Sequence, residues 1–311
     1  MEKPTIRPLA ERKNKVQIGE FAKVLAPVPG FGDWFDSLPD ILGARDLKAL
    51  VSTWTEVKAC GGFVGVALGA HVVKTGLSPL LIDLMRRGWI DHVATNGATA
   101  IHDYEFALQG ASSEDVAANL PDGSFGYWRE TFDGLNGLLR EGAKVGFGSA
   151  VGKAILDGDL PHEEISLFAE AERLGIVATV HVAFGCDIVH LDPDLDGGLL
   201  GQATHKDFQK ICESVARLEK GLWINIGSAV LMPEVFLKAV SYARNIGRLS
   251  DDFTTANLDM IRMYRAMTNV VDRPSRTGLN ITGQHEILLP LIHQALLSRA
   301  PDMKIPQKGG H

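Results

Sequence analysis

Clusters of small residues beside titratable side chains recur along the chain, each directly after an apolar run. In residues 92–110, HVATNGATAIHDYEFALQG, an apolar start meets the phrase TNGA, and His102 and Asp103 follow at once. Small residues let a ligand approach the backbone closely, and free amides at a following helix start favour anionic groups such as a pyrophosphate. The other clusters are Gly69-Ala70-His71, Gly185-Cys186-Asp187 with His190, Gly227-Ser228-Ala229 with Glu234, Thr254-Thr255-Ala256-Asn257, and Thr282-Gly283-Gln284-His285-Glu286.

The titratable side chains of these clusters are candidate catalytic groups. Histidine titrates near neutral pH, so His102 or His285 is a candidate general base. Asp187, Glu234 and Glu286 carry the negative charge that would bind a cationic substrate. Together these residue types indicate a proton-transfer site for a small, positively charged molecule.

Asp103 and His190 complete the candidate catalytic set. Residues adjacent on a strand point in opposite directions, so His102 and Asp103 need not act as a pair. Asp187 and His190 lie three positions apart and are compatible with one turn or one helical face. His181 adds a further nitrogen to this group, but the spacing matches no recognised metal-ligand motif, and we predict no metal site.

Apolar runs and helical stripes alternate along the chain. Residues 63–68 form an apolar run that predicts a buried strand. Residues 77–85 place apolar side chains at helical spacing, with Ser78 positioned to cap the helix and Gly88 to end it. The later segments predicted in this way are strands at 90–95, 176–184 and 222–226, and helices at 161–175, 205–220, 233–245 and 285–300.

This alternation predicts a doubly wound α/β fold, with a mostly parallel sheet covered by helices on both faces. In such sheets ligands bind outside the carboxyl ends of the strands, where the clusters of small and titratable residues lie. We predict an N-terminal arm at residues 1–45, one α/β domain at 46–300, and a flexible tail at 301–311.

The composition is typical of a soluble globular protein. The chain has 311 residues, of which 45% are hydrophobic and 22% charged, with a formal net charge of −7. It has no concentrated basic stripe of the kind that nucleic-acid binders need. No apolar run reaches the roughly 20 residues of a membrane span, and the start, MEKPTIRPLAERK, lacks the apolar core of a signal peptide. We therefore predict a cytoplasmic protein that acts on a small molecule and binds neither nucleic acid nor membrane.

Four segments resemble deoxyhypusine synthases and follow one another in the same order. They are VALGAHVVKTGLSPLLIDLMRRGWIDHVATNGATAIHDYEFALQG, IVATVHVAFGCDIVHLD, LWINIGSAVLMPEVFLKA and LNITGQHEILLPLIHQAL. The resemblance implies an NAD-binding Rossmann-like fold, a homotetramer with active sites at subunit interfaces, and chemistry on a polyamine. It also implies that Asp187 matches the family's amine-binding aspartate. The cofactor residues that it implies are Gly69, Ala70, Thr95, Asn96, Gly97, Gly227, Ser228, Thr255 and Ala256.

The sequence departs from that family at the lysine that forms its covalent imine. No lysine occurs between Lys238 and Lys304, and the interval carries arginines instead. Arginine stays protonated and cannot form an imine. Pro233 and Glu234 stand in the region where the family has a catalytic histidine. Lys238 is either a relocated nucleophile or an ordinary exposed helix lysine.

Three functions are compatible with the sequence. The first is an NAD-dependent enzyme of this superfamily that acts on a small amine, such as a polyamine, or on another polar metabolite, without being a deoxyhypusine synthase in the strict sense. The second is a hydrolase or lyase that uses the His/Asp cluster, with or without a metal. The third is a non-catalytic relative that keeps the fold and a ligand.

Overall fold

A parallel sheet of six strands forms the centre of the computed structural model, which describes residues 3–300. A separate sheet pairs two further strands, β1 and β4, in antiparallel orientation. The strands are β1 (Asn14–Gln17), β2 (Val64–Leu68), β3 (His92–Asn96), β4 (Ala111–Glu114), β5 (Val177–His181), β6 (Leu222–Ile226), β7 (Thr254–Asp259) and β8 (Thr277–Thr282).

The strand order of the large sheet is β5-β3-β2-β6-β7-β8, and every neighbouring pair is parallel. Counted along the chain within this sheet, the order is that of the doubly wound dinucleotide-binding fold. The winding reverses between β2 and β6, which are adjacent although more than 150 residues separate them. The predicted fold class is confirmed, and β2 and β6 mark its switch point.

Helices connect the strands and cover both faces of the large sheet. They are α1 (Phe31–Asp36), α2 (Leu42–Ala59), α3 (Ala70–Lys74), α4 (Ser78–Arg86), α5 (Gly97–Gln109), α6 (Val116–Asn119), α7 (Arg129–Asn136), α8 (Leu139–Val145), α9 (Phe147–Asp157), α10 (Leu167–Leu174), α11 (Gly197–Val215), α12 (Leu231–Asn245), α13 (Tyr264–Ala266) and α14 (His285–Arg299). Single 3-10 turns and one π-helical segment (Met267–Asp272) complete the connections.

The two faces of the sheet bury different hydrophobic clusters. Val66 and Leu68 of β2 point into the larger cluster, together with apolar residues of α2, α4, α5 and α14. Ala67 points to the other face, where Trp223 of β6 stacks on Phe236 of α12 with ring centroids 4.7 Å apart. Burial on both faces explains why these strands are continuously apolar in sequence.

The structure corrects several element boundaries. Residues 254–257 do not follow a strand but form the first part of β7, so they lie at the amino end of that strand. The helix predicted at 205–220 begins at Gly197 and ends at Val215. Its start is set by Asp196, whose side chain accepts a hydrogen bond from the Leu199 amide at 2.9 Å. Pro290 lies inside α14 and neither starts nor ends it.

The N-terminal residues pack on α5 and the β1–β4 sheet. Phe21 meets Phe106 of α5 edge to face, with ring centroids 4.8 Å apart. The predicted boundary at residue 45 falls inside α2 (Leu42–Ala59), and the division into arm and domain stays a prediction. The predicted tail, residues 301–311, lies outside the described residues. Between residues 3 and 300, no helix combines the length and apolarity that crossing a bilayer requires.

Candidate functional site

Two glycines lie in close contact at the switch point, where doubly wound sheets have their ligand-binding cleft. Gly69 follows β2, and its amide donates a hydrogen bond to the Ile226 carbonyl at 2.8 Å. A Cβ atom on Gly69 would lie 2.1 Å from the carbonyl oxygen of Gly227, which itself has a φ of +68°. The structure therefore brings together Gly69, Ala70, Gly227 and Ser228, four of the residues predicted to bind the cofactor.

A cluster of titratable side chains surrounds these glycines. His71 of α3 and His285 of α14 face each other, with ring centroids 5.9 Å apart. Burial and then the charges of Lys74 and His285 lower the pKa of His71, whereas Glu286 and Asp259 act in the opposite direction. We call these five residues the switch-point cluster: two histidines, one lysine and two carboxylates from the ends of β2, β7 and β8.

His285 is the most enclosed member of the switch-point cluster. Its ring fills the space that a side chain at Gly227 would occupy, since a Cβ there would lie 2.8 Å from the ring carbon Cε1. Nε2 lies 3.3 Å from the Leu258 carbonyl, so it carries the proton that this oxygen accepts. Nδ1 is then the nitrogen with the lone pair, and it is buried without a hydrogen-bond partner in the described part of the chain.

Asp187 occupies the N-terminus of α5. A Cβ atom on Gly97 would lie 2.1 Å from its Oδ2 atom. Burial raises the pKa of Asp187 to about 6, against the opposing effect of a hydrogen bond from the Ala98 amide. The side chain of Asn96 takes a second amide of this turn, accepting from Thr99 at 2.9 Å. The predicted anion-binding site at Gly97 is thus filled by the protein's own groups.

His190 supports the loop that carries Asp187. Its Nδ1 atom accepts hydrogen bonds from the backbone amides of Gly185 at 3.1 Å and Asp187 at 3.2 Å. Its Nε2 atom therefore carries a proton, and lies 4.0 Å from Asp187 Oδ2 with no closer partner among residues 3–300. Burial lowers the pKa of His190. Asp187 and His190 thus share one turn, in which His190 supports the loop through its backbone amides.

A cavity of 210 Å³ lies beside the cleft, between the first turns of α5, the β4 end and the loop before Ile188. Lys74 of the switch-point cluster borders this cavity as well, so the cleft and the cavity adjoin. The charged and titratable residues on its wall are Arg12, Lys74, His102, Glu105, Glu114, Cys186 and Asp187.

Several predicted site residues lie elsewhere. Asp103 is 1% exposed and caps α10, accepting hydrogen bonds from Ser166 Oγ at 2.5 Å and the Leu167 amide at 2.8 Å. The side chain of Thr95 is buried within β3, where its hydroxyl donates to the Thr179 carbonyl at 2.9 Å. These contacts give both residues structural roles. The remaining residues away from the cleft are Thr255 and Ala256, at the amino end of β7, and Glu234.

Glu234 is engaged on the surface of α12. It forms ion pairs with Lys238 and Arg265 and accepts a hydrogen bond from Asn269. Lys238 is exposed and bound to this carboxylate. Neither residue has a contact that would make it a nucleophile or an acid at the cleft.

Sequence reasoning missed two members of the switch-point cluster, Lys74 and Asp259. Lys74 lies one turn after His71 on α3, and this spacing of three was the available signal. Asp259 is the last residue of β7 and became recognisable only when TTANLD proved to be a strand. The described residues contain no group of three or more His, Cys, Asp or Glu side chains arranged to hold a metal ion.

Similarity to known proteins agrees with this topology. No protein-family model matches the chain. An ornithine cyclodeaminase from Methanothermobacter thermautotrophicus is 39% identical over 66 residues, which are 21% of this chain and 16% of that protein. AgrE, in its ternary complex with ornithine and NAD+, aligns at a TM-score of 0.56 and 17% identity over 84% of this chain and 34% of its own.

Two further structures share the fold. A LOR/SDH protein from Methanococcus maripaludis S2 aligns at a TM-score of 0.52 and 17% identity, over 89% of this chain and 72% of that one. A protein described as a deoxyhypusine synthase from Entamoeba histolytica aligns at a TM-score of 0.49 and 10% identity, too weakly to argue for that family in particular. The comparisons confirm the Rossmann-like fold, which is a coarser result than the deoxyhypusine synthase resemblance predicted.

Proposed function

We propose that the chain is an NAD-dependent enzyme acting on a small amino acid that carries a second amine, of which ornithine is the type. The observation that carries the proposal is the switch-point cluster, which places a buried, unpartnered histidine nitrogen against the two close-packed glycines of a dinucleotide-binding topology. AgrE binds ornithine with NAD+, and a short segment resembles an ornithine cyclodeaminase. The chain spans about a third of AgrE (34%), so the activity of the whole is our proposal.

The cleft has the features that a dinucleotide requires. A pyrophosphate needs backbone amides that are free and approachable. Within α12 the Met232 amide donates to Ser228 Oγ at 3.2 Å and Pro233 has no N–H, so the amides left for a phosphate are those of residues 228–231, in the turn that follows Gly227. The start of α5 does not meet this need, because Asp187 and Asn96 occupy it. We therefore assign the phosphates to Gly227 and Ser228 and reassign Gly97 to the substrate side.

The side chains of the switch-point cluster can accept a proton and stabilise the resulting positive charge. NAD+, when bound, supplies a hydride acceptor. His285 Nδ1 holds a lone pair in a buried position and is the group we assign to accept a proton from a substrate amine. Asp259 and Glu286 favour the positive charge that this proton places on the cluster, as they do at His71.

The resemblance to deoxyhypusine synthases also predicted a homotetramer and a polyamine substrate. Exposed apolar side chains follow the carboxyl ends of the strands, at Phe184 (58%), Val230 (52%), Tyr264 (65%) and Ile287 (58%). Apolar exposure of this kind favours a subunit contact at the site, as in the predicted homotetramer. A polyamine is the second substrate class to test. Transfer through a lysine imine is not part of the proposal, because the lysine is absent. The cytoplasmic location stays a prediction.

Calorimetric titration tests the proposal directly. NAD+ should bind the purified protein, and ornithine should then tighten the complex and produce NADH absorbance; spermidine is the comparison ligand. Gly69→Ala should weaken NAD+ binding at least tenfold, because its Cβ would meet the Gly227 carbonyl at 2.1 Å. Gly201→Ala is the matched control, since a Cβ there meets nothing within 4 Å. Absence of NAD+ binding to the unmodified protein would refute the proposal.

A further inference from the structure

The wall of the 210 Å³ cavity carries an excess of one negative charge. Glu105, Glu114 and Asp187 supply the carboxylates, and Arg12 and Lys74 supply the cations. Arg12 is fully engaged with Glu105 in a pair whose side chains are each 1% exposed. The Lys74 side chain has no hydrogen bond or ion pair within residues 3–300, so its ammonium group and the buried Asp187 carboxylate face the cavity from different elements.

A chain of hydrogen bonds fixes which nitrogen of His102 carries the proton. Ser112 Oγ has one hydrogen, which it donates to Glu105 Oε2 at 2.6 Å. The 2.7 Å contact between His102 Nδ1 and the same Oγ must therefore have Nδ1 as its donor. Nε2 is left without a proton, and it is the ring nitrogen turned away from Ser112 on a residue that borders the cavity. His102 thus offers the cavity a hydrogen-bond acceptor.

Glu105 holds this arrangement in place from inside the protein. Its carboxylate accepts from Arg12 Nη1 at 2.8 Å and Nη2 at 2.5 Å, and from Thr131 Oγ1 at 2.8 Å. All of these partners donate to the carboxylate, which likewise accepts the Ser112 hydrogen bond. The direction of the hydrogen bonds from His102 through Ser112 to Glu105 is therefore set by Arg12, a residue of the N-terminal segment.

We infer that this cavity binds the second ammonium group of the substrate, between the Asp187 carboxylate and His102 Nε2. Lys74, the member of the switch-point cluster that also borders the cavity, receives the substrate carboxylate. Ser112, Glu105 and Arg12 are positioning residues that act through His102. The inference rests on the proposed function and narrows it to a monocarboxylic acid with two amines. Such a ligand has a net charge of about +1 at neutral pH and offsets the excess negative charge of the wall.

Two substitutions, each of which deletes one hydroxyl donor to Glu105, distinguish a positioning effect on His102 from a general loss of stability. Ser112→Ala and Thr131→Val each remove one hydrogen bond to Glu105, at 2.6 and 2.8 Å, but only Ser112 touches His102. Nitrogen-15 NMR of the imidazole should show the Nδ1-protonated form of His102 in the unmodified protein and in Thr131→Val, and a tautomer mixture in Ser112→Ala. Ornithine affinity should fall about tenfold in Ser112→Ala alone, which corresponds to about 1.4 kcal/mol.

A ligand series tests the cavity itself. With NAD+ present, Asp187→Asn and His102→Leu should each weaken ornithine binding at least tenfold, while norvaline, which lacks the terminal amine, binds unchanged. Lys74→Met should weaken ornithine but leave putrescine, which lacks the carboxylate, unaffected. His102→Gln restores an acceptor and should recover part of the loss. The affinity for NAD+ alone should be the same in all four variants.

Three results would overturn the inference. Weaker NAD+ binding by Asp187→Asn or His102→Leu in the absence of amino acid would place a cofactor ribose in the cavity instead. Equal losses in Ser112→Ala and Thr131→Val would reduce the hydrogen-bond chain to a structural role. Unchanged ornithine affinity in Asp187→Asn would remove the ammonium from the cavity. If NAD+ does not bind at all, the proposed function fails, and ornithine titrated without it still tests the cavity.

Discussion

The ion pair between Arg12 and Glu105 joins the N-terminal segment to α5, and its removal has a calculable cost. Both side chains are 1% exposed, and two hydrogen bonds of 2.8 and 2.5 Å link them. Replacing Arg12 by Met leaves a buried carboxylate without its cation, which typically costs about 3–5 kcal/mol. For a chain of 311 residues, unfolding entropy of about 0.6 kcal/mol per kelvin converts this loss to a fall in Tm of roughly 5–8 °C.

A surface arginine of the same segment provides the control. Arg7 pairs with Asp122 at 3.6 Å, and their side chains are 44% and 58% exposed. Arg7→Met should therefore change the free energy of unfolding by less than about 0.5 kcal/mol. Urea denaturation of both variants gives the comparison. The double variant Arg12→Met/Glu105→Gln should recover about 2 kcal/mol, because it removes the unpaired charge and keeps an acceptor for Ser112 and Thr131.

Two results would refute this reasoning. A loss below about 1 kcal/mol in Arg12→Met would mean that water reaches Glu105 despite its burial. Failure of the double variant to recover stability would assign the loss to packing of the arginine side chain rather than to charge. Arg12 lies over the Trp128 ring at 5.6 Å from its centroid, so the double variant keeps that packing change constant and isolates the electrostatic part.

Further predictions concern pH, packing and the surface lysine. Burial lowers the pKa of His92 from 6.5 to about 3, so between these values the unfolded chain binds the extra proton and the free energy of unfolding falls as pH falls. His92→Asn lacks this contribution. Between pH 6 and pH 4, urea denaturation should therefore show the free energy of unfolding of the unmodified protein falling by about 1.4 kcal/mol per pH unit more than that of the variant. Equal pH dependence of the two proteins would contradict the assignment. Gly148→Ala should destabilise the protein by more than about 2 kcal/mol, because a Cβ there lies 2.3 Å from the Ala178 carbonyl, and thermal unfolding beside Gly201→Ala checks it. Lys238→Met should leave NAD+ affinity and turnover unchanged, because the lysine binds Glu234 on the surface of α12; a loss of turnover would make it a nucleophile after all.

Local signals in the sequence were sufficient for most of the fold. Residues 64–68 and 222–226 are buried throughout, and continuous apolar runs of that length predict strands because a parallel sheet is covered on both faces. Gly175, at the C-cap of α10, ends its helix in the left-handed conformation that glycine favours. Ser78 is the first residue of α4 as predicted, but Leu77 is the N-cap and the Ser78 side chain makes no capping hydrogen bond. The same rules predicted that ligand-binding residues follow the strands, and Gly69 and Gly227 do meet at the switch point.

Tertiary structure decided which titratable residues share a site. His102 and Asp103 are adjacent in sequence, but one borders the cavity and the other caps α10 from inside the core. Their side chains leave α5 about 100° apart, and only packing decides which direction faces a ligand. Arg12 and Glu105 meet across 93 positions of sequence. Periodicity and capping are local, so they predict elements, whereas burial and charge pairing at a site depend on segments that only folding brings together.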